Sequence, residues 1–360
     1  MEKSKKKLAT FALMAKQMTI KQISELSGVS PGTVDRILHN RDKVSKEARA
    51  KVEAVLAKAD YRCNIHTSAL SLRKSFSIAV VCPTIIKGDY WHSIRAGIDK
   101  AQEEYSDIEL SVQYFEYDQY DTESCKRAFN QLLDSSCSAV IIGGTFEEET
   151  VSLCSSLDKK STPYVFIDTR FDGCHQVGHF TADQYKCGKV MGKLLDLLAL
   201  AEERICVIRL ARTGSSHSFN TGERLKGLQD YFSSCAGRKF PEEFTLNLSS
   251  QENNKEQFIE WLRGNRDIST LAVLNSKGHS VADLLRSNGI SDRHIVGFDA
   301  TDENIRCLHE GTISFLLCQH PEQQGFESLQ RLIAYLLYRS PANSGDTGPV
   351  GVEILTKEML

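Results

Sequence analysis

Short apolar runs alternate with amphipathic segments throughout residues 76–360. Runs such as SIAVVCP, AVIIGGT and RICVIRLA are typical of buried strands, because they are brief, apolar and rich in β-branched residues. Segments between them, such as WHSIRAGIDKAQEEY and TESCKRAFNQLLDS, repeat apolar residues at helical spacing. Strands that alternate with helices form parallel sheets with helices on both faces, so the pattern predicts an α/β domain. The other predicted strands are ELSVQYFEY, YVFIDT, FTLNL, TLAVLN, HIVGFDA and GVEILTK.

Polar and aromatic residues follow several of the predicted strands. The segments PTIIKGDYW, GGT, DTR and FDATD stand at the ends of apolar runs. Ligands of such sheets gather at the carboxyl ends of the strands, so these segments predict a ligand site. The chain has no G-x-x-x-x-G-K-[ST] pattern for a nucleotide, and its loop Asp and His residues lack the spacing of a catalytic triad. We therefore expect a binding domain rather than an enzyme, with no cofactor.

The composition narrows the class of protein. Eleven cysteines without a C-x-x-C pair argue against a zinc site and a disulfide framework, and scattered thiols suit a reducing cytosol. The chain lacks an apolar run of about 18 residues, so we expect no transmembrane helix and no membrane partner. The start, MEKSKKKLATFALMAKQM, has too short an apolar stretch and no cleavage site for a signal peptide. We interpret residues 1–17 as a basic flexible arm.

The stretch TIKQISELSGVSPGTVDRILHN predicts two short helices joined by a tight turn. Thr19 and Gln22 form a capping-box pattern, and Gly28 suits the end of the first helix. Ser30 is a predicted N-cap and Pro31 the first residue of the second helix. Such a pair is the helix-turn-helix unit that places its second helix in the DNA major groove. The predicted buried faces are Ile20, Ile23 and Leu26 in the first helix, and Val34, Ile37 and Leu38 in the second.

A third helix is predicted to cover the first two. Ser45 is its expected N-cap, and its apolar face is Ala48, Val52, Val55, Leu56 and Ala59. Any three-helix bundle could carry these patterns, but the charge favours DNA binding. Residues 1–75 hold sixteen Lys and Arg against seven Asp and Glu, a net charge of +9, whereas the whole chain is −3 and the remainder therefore −12. A basic segment on an acidic body suits a polyanion bound at one end.

Residues 18–75 resemble the DNA-binding headpiece of the lactose-repressor (LacI/GalR) family, through GVS, TV-R, the VS before the third helix and Tyr–x–x–Asn at 61–64. The resemblance implies a helix-turn-helix headpiece over residues 18–63 and a hinge helix and linker over 64–75, the helix ordering when two subunits pair on DNA. It also implies that Pro31, Gly32 and Arg36 face bases and that Leu70 wedges into the minor groove. The expected DNA-binding residues are Thr19, Ile20, Lys21, Ser30, Pro31, Gly32, Thr33, Arg36, His39, Lys43, Ser45, Tyr61, Asn64, Thr67 and Leu70.

Residues 76–360 are similar to the periplasmic sugar-binding fold that this family uses as its effector domain, above all to the branch like ribose-binding protein. The similarity lies in segments such as YVFIDTR, NTGERLKGL, IVGFDAT and ISFLLCQHPEQQG. It implies two parallel-sheet lobes, about residues 76–181 with 320–340 and about 182–319 with 341–360, with the ligand between them. The expected ligand-binding residues are Tyr90, Trp91, Asp168, Arg170, Phe219, Arg224, Ser276, Lys277, Phe298, Asp299 and Gln319.

Ser276 and Lys277 stand where the family commonly has Asn–Asp. An ammonium in the cleft would suit an anionic effector, such as a sugar acid or a sugar phosphate; alternatively, Lys277 points to solvent. The sequence thus predicts a cytoplasmic homodimeric regulator, a repressor, that binds double-stranded operator DNA and a sugar, sugar acid, sugar phosphate or polyol. The alternative is a sugar-binding receptor for transport or sensing that binds no DNA.

Overall fold

The computed structural model describes residues 20–38, 44–58, 75–210, 219–235, 240–247, 254–338 and 350–360. The predictions for the arm 1–17 and the hinge helix lie outside these residues. So do those for Thr19, His39, Lys43, Ala59, Tyr61, Asn64, Thr67 and Leu70.

Three helices form the N-terminal headpiece: α1 (Ile20–Ser27), α2 (Pro31–Leu38) and α3 (Lys46–Lys58). Gly28 ends α1 at φ +66°, where its N–H donates to the Ser24 carbonyl, and left-handed backbone of this kind favours glycine. The Ser30 hydroxyl accepts from the Thr33 N–H at 3.3 Å, and Ser45 caps α3 in the same way at Ala48. The predicted caps of α2 and α3 are therefore present. The headpiece core is Ile23, Val29, Val34, Ile37 and Val52.

The predicted burial of Leu26 is wrong, because its side chain is 67% exposed. In a helix of 3.6 residues per turn, each step of three residues falls about 60° short of a full turn. After the two steps from Ile20 through Ile23 to Leu26, the side chain of Leu26 therefore points about 120° away from that of Ile20. Ile23 is fully buried in the headpiece core, whereas the side chain of Leu26 points away from that core. Val29, in the turn, supplies the next buried side chain instead.

The first lobe is built on a five-stranded sheet of order β2-β1-β3-β4-β5. Pairings of β1 with β3, β3 with β4 and β4 with β5 are parallel, as predicted from the alternation of strands with helices. Its strands are β1 (Ser75–Pro83), β2 (Glu109–Tyr117), β3 (Ala139–Ile142), β4 (Tyr164–Ile167) and β5 (Gly178–Phe180). The helices between them are α4 (Tyr90–Glu104), α5 (Thr122–Asp134) and α6 (Glu147–Lys159).

The second lobe is built on a six-stranded sheet of order β11-β10-β9-β8-β6-β7, which is parallel except for the antiparallel edge strand β11. Its strands are β6 (Arg204–Leu210), β7 (Glu242–Leu246), β8 (Ile268–Val273), β9 (His294–Phe298), β10 (Phe315–Cys318) and β11 (Glu353–Leu355). The helices that follow β5 along the chain are α7 (Gln184–Leu198), α8 (Phe219–Ser234), α9 (Lys255–Gly264), α10 (Gly278–Ser287), α11 (Asp302–His309) and α12 (Pro321–Tyr338). Of these, α12 packs against α4 of the first lobe.

Alternate residues of the second sheet enter two separate cores. Cys206 and Ile208 of β6 pack in the core that includes α9, α10 and α11, whereas Ile205 and Val207 pack in the core that includes α7 and α8. Successive side chains of a strand point to opposite faces, so this division requires helices on both faces. Every residue of β8 is buried, as expected for a strand with two covered faces.

Two helix pairs pack so closely that each helix has a glycine against the backbone of its neighbour. A Cβ at any of these four glycines would overlap a backbone oxygen of the other helix. The glycines are Gly97 and Gly325 between α4 and α12, and Gly188 and Gly227 between α7 and α8. Both contacts are therefore reciprocal.

Candidate functional site

A cavity of about 80 Å³ lies between the two sheets. Loops from the carboxyl ends of strands in both sheets line it, where parallel sheets place their ligands. Of the predicted ligand-binding residues, those that line the cavity are Tyr90, Trp91, Asp168, Phe219, Arg224, Ser276, Lys277, Asp299 and Gln319.

Arg224 and Gln319 form the centre of a buried polar network. The Arg224 guanidinium donates to the side-chain oxygens of Gln184 and Gln319 and to the Leu274 carbonyl, at 2.7–2.8 Å. It also lies over the Phe298 ring, 3.8 Å from the ring centroid. These bonds orient Gln319 so that its amide nitrogen donates to both carboxylate oxygens of Asp299, at 2.9 and 3.1 Å.

Asp299 is a buried carboxyl group at the edge of the cavity, 3% exposed. Burial raises its pKa to about 7, because desolvation penalises the carboxylate more than Arg224 and Gln319 stabilise it. Its backbone has φ +66°, a conformation that costs free energy for a residue with a Cβ. The carboxyl group of Asp299 lies at the edge of the cavity, where a hydroxyl group of a ligand could donate a hydrogen bond to it.

In the first lobe, Tyr90 and Asp168 form a second polar cluster at the cavity, opposite the Arg224, Gln319 and Asp299 cluster of the second lobe. The Tyr90 hydroxyl donates to Asp168 Oδ1 at 2.9 Å, and Gln324 Nε2 donates to the same hydroxyl at 3.2 Å. Burial, together with the negative charges of Asp168 and Asp299, raises the pKa of Tyr90 well above its usual range, so the phenol stays protonated. Asp168 also has positive φ, +64°.

Trp91 forms an apolar wall of the cavity. Its ring meets that of Tyr90 edge to face, with the centroids 5.7 Å apart, and lies against Gly143 at the end of β3. A Cβ at Gly143 would overlap the indole. The two aromatic side chains can present flat apolar surface to the C–H face of a sugar ring.

Lys277 neither points freely to solvent nor offers an unpaired charge to an anion. Its ammonium donates to Asp89 Oδ2 at 2.9 Å, and the two side chains are 30% and 20% exposed. Asp89 precedes α4 in the first lobe and Lys277 precedes α10 in the second, so the pair joins the lobes across the cleft. Among the described residues, the Asp302 N–H also donates across the cleft to the Gly88 carbonyl, and Asn220 Nδ2 donates to the Asp168 carbonyl.

Two predicted ligand-binding residues lie elsewhere. Phe298 is fully buried beneath Arg224 and positions the guanidinium rather than lining the cavity. Arg170 is exposed and is not part of the cavity lining within the described residues. Phe219 does line the cavity and is 40% exposed.

The structure adds residues that the sequence analysis did not identify. Asp89, Asn220 and Asn275 line the cavity, and Gln184 and Gln324 support the groups that do. Asp89 and Asn220 are the sequence neighbours of Tyr90 and Phe219, so proximity to a predicted site residue was the available signal. A more open groove of about 630 Å³ lies on the other side of Tyr90 and Asp299, but the convergent buried polar side chains favour the smaller cavity.

The headpiece presents the predicted DNA-contacting residues of α2 at its surface. Pro31, Gly32 and Arg36 are exposed, whereas Val34 and Ile37 face the core. Lys21 of α1 is exposed as well, and Ile20 and Thr33 are half-buried. No helix within the described residues is long and apolar enough to cross a membrane.

Two family models match the chain. Residues 19–64 match the lacI family of bacterial regulatory proteins, and residues 78–339 match the periplasmic binding protein domain. Catabolite control protein A of Staphylococcus aureus (strain MRSA252) is 25% identical over 295 residues, which covers 79% of this chain and 83% of that protein.

Solved structures have the same fold as the α/β part. A protein from Bacteroides fragilis, assigned as a LacI transcriptional regulator, is 27% identical and has a TM-score of 0.73, covering 79% of this chain and 98% of its own. A solute-binding protein of an ABC transporter from Burkholderia graminis, solved with D-arabinose, is 14% identical with a TM-score of 0.69. The latter match covers 79% of this chain and 96% of that protein, and shows the fold alone.

Proposed function

Because the chain belongs to the LacI family of bacterial regulators and carries a periplasmic binding protein domain, it is a DNA-binding regulator with an effector domain, and we propose that its effector is a neutral sugar or polyol. The cavity between the lobes is the proposed effector site. We further propose a homodimeric repressor that acts in the cytoplasm on a pseudo-palindromic operator, since a two-fold dimer matches a two-fold DNA site.

The polar network around Arg224, Gln319 and Asp299 carries this proposal. Buried hydrogen-bonding groups converge there beside an aromatic wall, which is the composition of a site for a small polyhydroxyl molecule. The solute-binding protein of the same fold that holds D-arabinose supports a sugar as the class of ligand.

The charges favour a neutral effector over a sugar acid or a sugar phosphate. Lys277 is paired with Asp89, and Arg224 directs Nε, Nη1 and Nη2 each to a protein acceptor, on Gln184, Leu274 and Gln319. Asp168 and Asp299 place carboxyl groups at the same cavity, where an anion would meet like charge. Hydroxyl groups can donate to these oxygens.

The DNA contacts remain assigned to the exposed residues of α2 and to the hinge. Arg36 has the side chain able to pair with guanine O6 and N7, and Pro31 offers an apolar contact. Binding of the effector between the lobes would change the geometry near residues 65–75 and so shift the order of the hinge helix. Such coupling is reciprocal, so operator DNA must change effector affinity by the same factor.

A thermal-shift panel of the full-length protein tests the effector class. D-arabinose, D-ribose, D-glucose, D-galactose and their alditols are compared with glucuronate and glucose 6-phosphate, since a ligand that binds the folded state raises the melting temperature. We expect at least one neutral compound to stabilise the protein and to change its affinity for duplex DNA. Stabilisation by the anions alone would refute the proposal.

Two variants control this experiment. Gln319→Leu removes the central amide and should abolish the shift, whereas Arg204→Ala alters an arginine on β6 that pairs with Asp267 and should leave it unchanged. Failure of the purified parent to bind any duplex DNA in a site-selection experiment would favour the alternative, a sugar receptor without DNA binding.

A further inference from the structure

Asn220 uses only one side of its amide group. It is the second residue of α8, lines the cavity and is 7% exposed. Its Nδ2 donates to the Asp168 backbone carbonyl at 3.2 Å. Its Oδ1 is buried and has no hydrogen-bond partner within the residues that the structure describes.

The orientation of this amide is fixed by its neighbour. The Asp168 carbonyl can only accept a hydrogen bond, so the nitrogen of Asn220 must face it and the oxygen must point elsewhere. A buried acceptor without a partner has lost its hydrogen bonds to water and regained none. Native proteins satisfy most such groups, so this oxygen is a candidate acceptor for a hydrogen-bond donor of a ligand.

We propose that Asn220 Oδ1 accepts a hydrogen bond from a hydroxyl group of the effector, and that this contact selects ligands with a donor at that position. The inference rests on the proposed function of the cavity and deepens it. A carboxylate or phosphate oxygen at this position has only lone pairs to offer, so it would leave Oδ1 unsatisfied and face another acceptor. A methoxy or deoxy group would fail for the same reason.

The same amide connects ligand recognition to closure of the cleft. Asn220 belongs to the second lobe and the carbonyl to which it donates belongs to the first. A hydroxyl bound at Oδ1 holds the amide in the orientation that keeps Nδ2 on Asp168. The effector therefore stabilises an interlobe hydrogen bond without contacting both of its atoms.

Calorimetry with deoxy sugars tests the contact in the full-length protein. The probes are D-arabinose, D-ribose, D-glucose and D-galactose, each with its monodeoxy analogues. For the sugar that the parent binds, we expect removal of one hydroxyl to lower affinity about 10- to 100-fold, the loss that follows when a buried acceptor is left unpaired. Asn220→Ala should bind the parent sugar and that analogue within about twofold of each other, because it has no acceptor left to satisfy.

Asn265→Ala is the matched control. Asn265 donates to the Trp261 carbonyl as Asn220 donates to Asp168, but its Oδ1 already accepts from Arg204. This control should lower the melting temperature and leave every sugar affinity unchanged. Asn220→Ala should lower the melting temperature less, because it deletes an unsatisfied acceptor together with one hydrogen bond.

Two outcomes overturn the inference in different ways. If Asn220→Ala binds the sugar with parental affinity and the same deoxy penalty, Asn220 makes no contact and the proposed effector class stands. If no neutral sugar binds the parent, the proposed function of the cavity fails, and the Asn220 contact with it.

Discussion

The Lys277–Asp89 pair should stabilise the contact between the lobes by a measurable amount. The charged atoms are 2.9 Å apart and both side chains are mostly shielded from solvent, at 30% and 20% exposure. Coulomb's law gives about 6 kcal/mol at this distance with an effective dielectric constant of about 20, and desolvation of both ions opposes most of it. We therefore expect a net coupling of about 1–2 kcal/mol, above the few tenths typical of exposed pairs.

A double-mutant cycle measures this coupling. Lys277→Met, Asp89→Asn and the double variant are unfolded in urea as full-length proteins, and the non-additive part of the change in unfolding free energy is the interaction. The same cycle on Lys100→Met and Glu322→Gln is the matched control. That pair is 3.2 Å apart with side chains 61% and 56% exposed, and it joins α4 to α12.

The comparison between the two cycles decides the argument. If the Lys277–Asp89 coupling is no larger than that of Lys100–Glu322, burial of the interlobe pair does not strengthen it and the reasoning is refuted. Salt gives a second criterion, since the exposed pair should lose proportionally more of its coupling between low and high ionic strength.

Four other outcomes are expected. Arg36→Ala should cost about 1–3 kcal/mol of discrimination at one base pair of each half-site, and an unchanged consensus in binding-site selection would exclude Arg36 from base reading. Leu70→Ala should reduce operator bending in a circular-permutation gel while sugar affinity stays constant; equal bending would contradict a wedge. Asp299→Asn should gain stability relative to the parent as pH rises from 5 to 8. Because the pKa of Asp299 is raised, the folded protein keeps a proton that the unfolded chain releases above about pH 4. The contribution of protonated Asp299 to the stability of the parent is therefore full in acid and is lost as pH rises through about 7. A pH-independent difference between variant and parent in urea unfolding would argue against this. Gly143→Ala should displace Trp91 and weaken effector binding in calorimetry, and parental affinity would show that the indole is not a wall of the site.

Short sequence patterns predicted most helices and strands, because apolar periodicity and capping residues act over a few neighbouring positions. The buried strand β6 was predictable from its short apolar run, and the cap of α2 from Ser30 directly before Pro31. Leu26 shows the limit, since a three-residue spacing followed twice leaves the buried face of a helix. The strand β5 is only three residues long, too short for periodicity to distinguish it from loop.

The site was predictable only in part because its contacts join distant positions. Asp299 and Gln319 were predicted as single residues, but no spacing indicates that one amide bridges Asp299 to Arg224. Asp89 and Lys277 are 188 residues apart in the sequence, so the residues around Lys277 could not reveal the carboxylate that neutralises its ammonium. The interpretation that Lys277 would suit an anionic effector, one of the two left open by the sequence, depended on that missing partner.

The reciprocal glycine contacts have a consequence for how the protein responds to imperfect ligands. They bind α4 to α12 in one lobe and α7 to α8 in the other at backbone distance, which leaves the helices of each pair no room to slide closer. Tyr90 and Gln324 therefore travel as one body, and so do Gln184 and Arg224. An imperfect ligand would therefore meet two preassembled groups, one on each helix pair, whose internal arrangement it cannot adjust.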